Sequence, residues 1–329
     1  MKNTMVERRD LSQSRGVAMV IVLWVIMVLS LLISGFAFTM QVETQVASFS
    51  RKELKAEMLA RSGIEVARMQ LMLHMTSPTE SGFDALNQDW ATNETLYVDH
   101  ELGDGKYNVK ITDEESKLPI NLLSQDQLRR LMDLLGIDPS DGDVIVDSIL
   151  DWREPGDLHR LNGAKSDYYE SLSPPYSAKN APLDRVEELL LIRGVTKEIY
   201  DGTPATEDEP ARPGLKNLFT TTSSGQVNIN TASSIVLQTI LGLDDTHVAA
   251  LLTRRDGPDG VPGTEDDQPF GSVGEFGSQV AGPITVNSSY FTVKSTGEVG
   301  GAKRTIIAVL YRQGLNVVTV TWNEVRGGL

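Results

Sequence analysis

Three kinds of hydrophobic pattern follow one another along the chain, and each predicts a different element. From Val17, 22 residues run to Phe38 without a charge (V-A-M-V-I-V-L-W-V-I-M-V-L-S-L-L-I-S-G-F-A-F). As a helix that run is about 33 Å long, close to the hydrocarbon thickness of a bilayer, so it predicts a membrane span. Beyond it Val42, Val46, Phe49, Ala56, Ala60, Ile64, Ala67 and Leu71 recur at spacings of three, four and seven, with charged residues such as Glu43, Lys52 and Arg61 between them. One helix reaching about Met75 follows, with Pro78 marking its end. Its stripe is mostly small, so whatever covers it approaches closely.

Period-two patterns come next. Leu96 and Val98 alternate with polar neighbours, Gly103-Asp104-Gly105 supplies a turn, and Tyr107, Val109 and Ile111 alternate again, predicting a hairpin. Matching strands stand only near the other end: residues 290–294, 304–311 and 317–322, separated by Gly300-Gly301 and Gly314, predict an antiparallel meander. A sheet divided in this way makes residues 118–280 an insertion with its own core.

That insertion repeats itself. L-P-I-N-L-L-S-Q-D-Q-L-R-R-L-M-D-L-L-G with V-I-V-D-S-I-L-D-W-R is matched later by Q-V-N-I-N-T-A-S-S-I-V-L-Q-T-I-L-G with V-A-A-L-L-T-R-R-D. Each copy has an extended Ile-Asn, a Ser or Thr cap, a helix ended by Gly136 or Gly242, and a second helix. Ser124 and Gln127 have capping-box spacing. A further helix is predicted between the copies over residues 183–192.

Charge and chemistry narrow the function classes. The chain has 329 residues, no cysteine, and 30 basic against 45 acidic residues, a net charge of −15. That balance opposes a phosphate-backbone partner. His74, His100, His159 and His247 are scattered, and no H-E-x-x-H, G-x-S-x-G or phosphate-loop motif is present, so catalysis has little support. Helix, glycine turn and helix also describe the helix-hairpin-helix element of DNA-binding proteins, which would hold a phosphate on backbone amides. Here Asp138 and Asp141, and Asp244 and Asp245, would face it. In Asp256-Gly-Pro-Asp259-Gly-Val-Pro-Gly-Thr-Glu265-Asp266-Asp267, five carboxylates lie within twelve residues with glycines that let the backbone curl. These make Asp256, Asp259, Glu265, Asp266 and Asp267 candidate Ca2+ ligands, although the spacing is not that of an EF-hand.

The N-terminus resembles the class III leader of pilins and pseudopilins: a polar leader with Lys2, Arg8, Arg9 and Arg15, then Gly16, then the apolar helix. The resemblance implies that prepilin peptidase cuts after Gly16 and methylates Val17. Most members carry glutamate at the fifth mature position, where it is thought to pair with the amine of the subunit above; here that position is Ile21. With Asp151-Trp152-Arg153-Glu154, Asn162-Gly163-Ala164, Tyr168-Tyr169, Pro174-Pro175-Tyr176, Asn180 and Glu187-Glu188-Leu189, the chain resembles the GspK family of type II secretion minor pseudopilins.

That likeness implies an α+β fold, with a pilin-like long N-terminal helix on an antiparallel sheet and an inserted all-helical domain containing helix-hairpin-helix-like repeats. The expected divisions are a leader (1–16), a transmembrane part (17–38), a pilin-like unit (39–117), the insertion (118–280) and the last strands (281–329). It also implies the tip of the pseudopilus, partners among the I- and J-type minor pseudopilins and the major pseudopilin, a single inner-membrane pass with the head in the periplasm, and no nucleic acid. A second candidate Ca2+ loop, with Asp151, Glu154, Asp157 and Asp167, rests on the family likeness; Lys165 and Ser166 stand where acids are expected. The alternatives are a membrane-tethered DNA receptor of the competence type, a minor pilin of a type IV pilus and, least favoured, a hydrolase.

Overall fold

The structure, a computed structural model, describes residues 12–206, 211–276 and 282–326. Residues 1–11, most of the expected leader, and the expected boundary at residues 280 and 281 lie outside the described residues.

Helix α1 (Ser12–His74) takes 63 residues without a proline, about 95 Å at the standard rise. Its apolar segment through Phe38 is exposed on every side, which in water would be untenable and in a bilayer is required. Val42, Val46 and Phe49, placed on the buried stripe by periodicity, are exposed as well. Burial starts at Ala56 and continues through Ala60, Ile64, Ala67 and Leu71, because only there does a sheet cover the helix.

That sheet has five antiparallel strands in chain order: β1 (His100–Leu102), β2 (Gly105–Asp113), β3 (Tyr290–Val299), β4 (Ala302–Gln313) and β5 (Asn316–Arg326). β2 and β3 are partners from Lys106 opposite Glu298 to Asp113 opposite Phe291, so the chain leaves and re-enters the sheet at one point. Along β3, Phe291, Val293, Ser295 and Val299 are buried beneath α1. Glycine sets the approach of the two layers. A Cβ on Gly297 would lie 2.0 Å from the Ala56 carbonyl oxygen, and one on Gly63 would lie 2.2 Å from Ser295 Oγ. One expected strand is different: Leu96 lies in a helical turn (Glu94–Tyr97) whose N-cap, Asn93, accepts from the Leu96 N–H, and Val98 follows that turn. The cap and the burial of Tyr97, whose hydroxyl donates to the Trp90 carbonyl, outweigh the alternation of two residues.

The second unit is built on α2 (Gln125–Leu134), α3 (Pro139–Arg153), α4 (Ser234–Leu241) and α5 (Asp245–Arg255). Ser124 and Gln127 form the capping box, and Gly136 and Gly242 take the left-handed conformation (φ 65° and 70°) that turns one helix into the next. The helix expected over 183–192 is a 3-10 helix (Val186–Leu191). One continuous apolar core, from Leu118 through Trp152 and Phe270 to Val286, holds this unit together, distinct from the core under the sheet. Trp152 meets Tyr169 edge-on at 5.2 Å, and Tyr169 stacks on Tyr176 at 5.3 Å. The aromatic residues that carry the family likeness are therefore packing residues.

Candidate functional site

Three places bear on function: the N-terminal part of α1, two acidic loops, and the junction between the units. At the first, Gly16, Val17 and Ile21 lie within helix, exposed. Nothing stands within 4 Å of where a Gly16 Cβ would be, and the first turn of α1 contains no acidic residue.

The loops occupy corresponding places in the two copies of the repeat. In the first copy Asn121 Nδ2 donates to the Leu183 carbonyl and Asn121 Oδ1 accepts from the Leu183 N–H, at 2.9 and 2.8 Å. In the second, Asn230 does the same with Phe270, at 2.9 and 2.8 Å. Arg153, at the end of α3, donates to the carbonyls of Ile120 and Leu123; Arg255, at the end of α5, donates to those of Ile229 and Ala232. Each asparagine thus clasps the far end of the loop that leaves the second helix, residues 154–183 in one copy and 256–270 in the other.

The five acids of the later loop do not converge. Asp256 is buried and turns inward to Arg255, Nε to Oδ1 2.5 Å. Asp259 Oδ1 accepts from the Val261 N–H, and Asp267 Oδ2 from the Gly263 N–H. Thr264 Oγ1 lies 2.7 Å from Asp266 Oδ1 and 3.2 Å from Asp267 Oδ1, and the Thr264 hydroxyl holds the Asp266 carboxyl below the usual range. In the earlier loop the structure joins Asp151 to Glu154 through Arg160, whose guanidinium is 2.8 Å from each carboxylate. Asp157 and Asp167 lie on the exposed rim. Lys165 is buried, its ammonium donating to the carbonyls of Asp151 (2.5 Å) and Glu154 (2.6 Å) and to Asn180 Oδ1 (2.8 Å). The donors of this loop are already engaged by two fixed cations, so the set does not fit a calcium ion. Among the described residues no three acidic or histidine side chains are grouped to hold a metal.

The junction was missed by sequence reasoning. Asp84, fully buried, pairs with Arg312, accepts from the Ser288 N–H at 2.7 Å, and faces His74 Nε2 at 3.2 Å. Asp113 Oδ2 accepts from Thr231 Oγ1 (2.5 Å), Ser288 Oγ (2.7 Å) and Asn228 Nδ2 (3.2 Å). Glu115 accepts from the N–H groups of Ser224 and Tyr290. Burial, reinforced by the Glu115 charge, pushes the Asp113 carboxyl up to about 8. Burial also acts to raise Asp84, but His74 and Arg312 outweigh it and hold that carboxyl below its ordinary value. Only V-N-I-N gave any signal of these residues, because the partners come from segments far apart in sequence.

Residues 105–203 match the family model described as type II secretion system (T2SS), protein K. A curated relative, the putative type II secretion system protein K of Escherichia coli strain K12, is 26% identical over 306 residues, 86% of this chain and 89% of that protein. Type II secretion system protein K of Aeromonas hydrophila is 25% identical over 339 residues, 95% and 97% of the two chains. Over nearly its whole length this chain is similar to protein K of type II secretion systems. A solved structure, described as the GspK-GspI-GspJ complex from the type 2 secretion system of enterotoxigenic Escherichia coli, has the same fold: TM-score 0.65 at 18% identity, covering 87% of this chain and 100% of that one.

Proposed function

We propose that this chain is the minor pseudopilin at the tip of the type II secretion pseudopilus, where it nucleates and caps the filament that drives protein export across the outer membrane. The observation that carries the reading is Ile21, an exposed apolar residue five positions after Gly16, where most members of the superfamily carry glutamate. A subunit with no neighbour above it has no amine to pair. In this reading α1 is anchored once in the inner membrane with the head in the periplasm, prepilin peptidase cuts after Gly16 and methylates Val17, and the head rests on I- and J-type minor pseudopilins above the major pseudopilin. The role is mechanical, without bond chemistry.

The DNA-receptor reading is disfavoured by a specific placement. Asp138 and Asp244 cap the helices that follow the two glycine turns, accepting from the N–H groups of Ser140 and His247, both at 2.9 Å. Carboxylates therefore hold the amides that a phosphate would need. Of the two candidate loops we keep only 256–267 for a calcium test: Asp256 is committed to Arg255, and Asp259, Asp266 and Asp267, which this structure does not group into a metal site, accept from N–H and hydroxyl groups.

The test is purification of the full chain from membranes with its I- and J-type partners, followed by mass spectrometry of its N-terminus. A ternary complex containing a chain that starts at methylated Val17 is expected, and Gly16→Leu should leave the leader attached. An intact leader in the unsubstituted protein, or a chain that recruits neither partner, would overturn the assignment.

A further inference from the structure

The two clasped loops differ in how their negative charge is balanced. Helix α3 ends at Arg153, and its last carbonyls, with the carboxylates of Asp151 and Glu154, form a concentrated patch of oxygen at the negative end of the helix dipole. Two cations fixed by the sequence close that patch. Arg160 forms ion pairs with the Asp151 and Glu154 carboxylates, and its backbone N–H donates to Asp151 Oδ2 at 2.9 Å. Lys165 Nζ sits among Asp151 O, Glu154 O and Asn180 Oδ1, so all three ammonium hydrogens have an acceptor. Asn180 holds φ at +51° to present its amide there, and Gly163 lets the chain pass the Asp151 carboxylate, which a Cβ would approach to 1.9 Å. Around Asp151 and Glu154, two carboxylates meet two cations. The corresponding loop, 256–267, has five carboxylates and places Arg255 on only one of them.

We propose that the Lys165 ammonium, with Arg160, is the resident cation of the 154–183 loop, occupying the place a divalent ion would take, so that this loop is ordered without metal. Calcium and the ammonium compete for the same carbonyl and amide oxygens. A metal could enter only by evicting Nζ, and eviction would expose an amine that is otherwise buried.

The experiment uses the full chain in detergent, carrying Asp266→Asn and Asp267→Asn so that calcium at the other loop does not contribute. Amine acetylation with an N-hydroxysuccinimide ester, read by peptide mass spectrometry, compares Lys165 with Lys197, whose side chain is 85% exposed. Lys165 should label at least tenfold more slowly, equally in a chelator and in millimolar calcium. Faster labelling in calcium, or labelling at the rate of Lys197, overturns the proposal. In the same background the melting temperature should not move with calcium, whereas Lys165→Ala should lower it by several degrees in chelator and recover part of the loss in calcium. An unchanged melting temperature for Lys165→Ala overturns the proposal as well. If that variant does not fold, the acetylation arm decides by itself. Failure of calcium binding at 256–267 would appear only with Asp266 and Asp267 intact, and is thereby separated from this result.

Discussion

Asp113 makes the joint between the two units sensitive to pH. Its carboxyl is buried against Thr231, Ser288 and Asn228, and faces Glu115 on its own segment, with Asp84, Arg312 and His74 packed beyond Ser288. With a folded value of about 8 against about 3.9 in an unfolded chain, the folded state holds its proton longer. The stability from this group is fully present below pH ~4 and is lost as pH rises to about 8. Asp84 has the opposite sign: its lowered value supplies stability above pH ~4 that is lost in acid. Thermal melts from pH 5 to 9 should therefore decline toward the alkaline end, and Asp113→Asn should flatten that decline while keeping the hydroxyl and amide partners. Parallel curves for the two proteins would show that Asp113 does not titrate in this window. Such a residue is hard to find in a sequence. An aspartate at the end of a strand looks like any turn acid until residues 228, 231 and 288 are brought to it, whereas Asn121 and Asn230 could be paired in advance because each sits in the same Ile-Asn context.

At the scale of elements, legibility depended on length and on repetition. The 63-residue helix, β3 to β5 and the two helix-glycine-helix pairs were readable because each pattern persisted over many residues or occurred twice. Leu96 and Val98 misled because two alternating residues cannot outweigh a local cap, and the exposure of Val42, Val46 and Phe49 was unreadable because periodicity does not say where a covering sheet begins. The small stripe of α1 was informative in a stronger sense, since close approach is what Gly297 and Gly63 permit. An added methyl at Gly297 meets the backbone of α1, at the Ala56 oxygen and, 2.8 Å away, the Ala60 nitrogen, so relief requires the helix to lift from β3. Gly297→Ala should destabilise the fold by about 1–3 kcal/mol, the usual cost of overpacking. Gly82→Ala, with nothing within 4 Å of the new atom, should stay within about 0.5 kcal/mol. Chemical denaturation of the two variants checks this, and equal midpoints would mean that the layers are not set by glycine.

For the molecule as a whole, the consequential feature is that the second unit has its own core and hangs from one point of the sheet. Asp113 and Phe291 are directly paired across β2 and β3, so replacing residues 114–290 with Asn-Gly, the dipeptide favoured in two-residue hairpins, should close the sheet as an ordinary meander. The helix and sheet keep their own apolar core, and Asp84 keeps Arg312. Such a headless chain should insert in the membrane, be cut after Gly16 and give a cooperative melt, at a lower temperature because the junction bonds through Asn228, Thr231 and Ser288 are gone. What it should lose is the tip. Without a head too bulky to lie inside a helical filament, nothing confines it to the end, and Ile21 would leave an unpaired amine wherever another subunit stacked above it. Secretion measured in cells expressing only the headless form should fall to the level of a deletion strain, while its co-purification with partners through α1 persists. Secretion at the level of the intact protein would show that position in the filament is set by α1 alone and that the second unit serves another purpose.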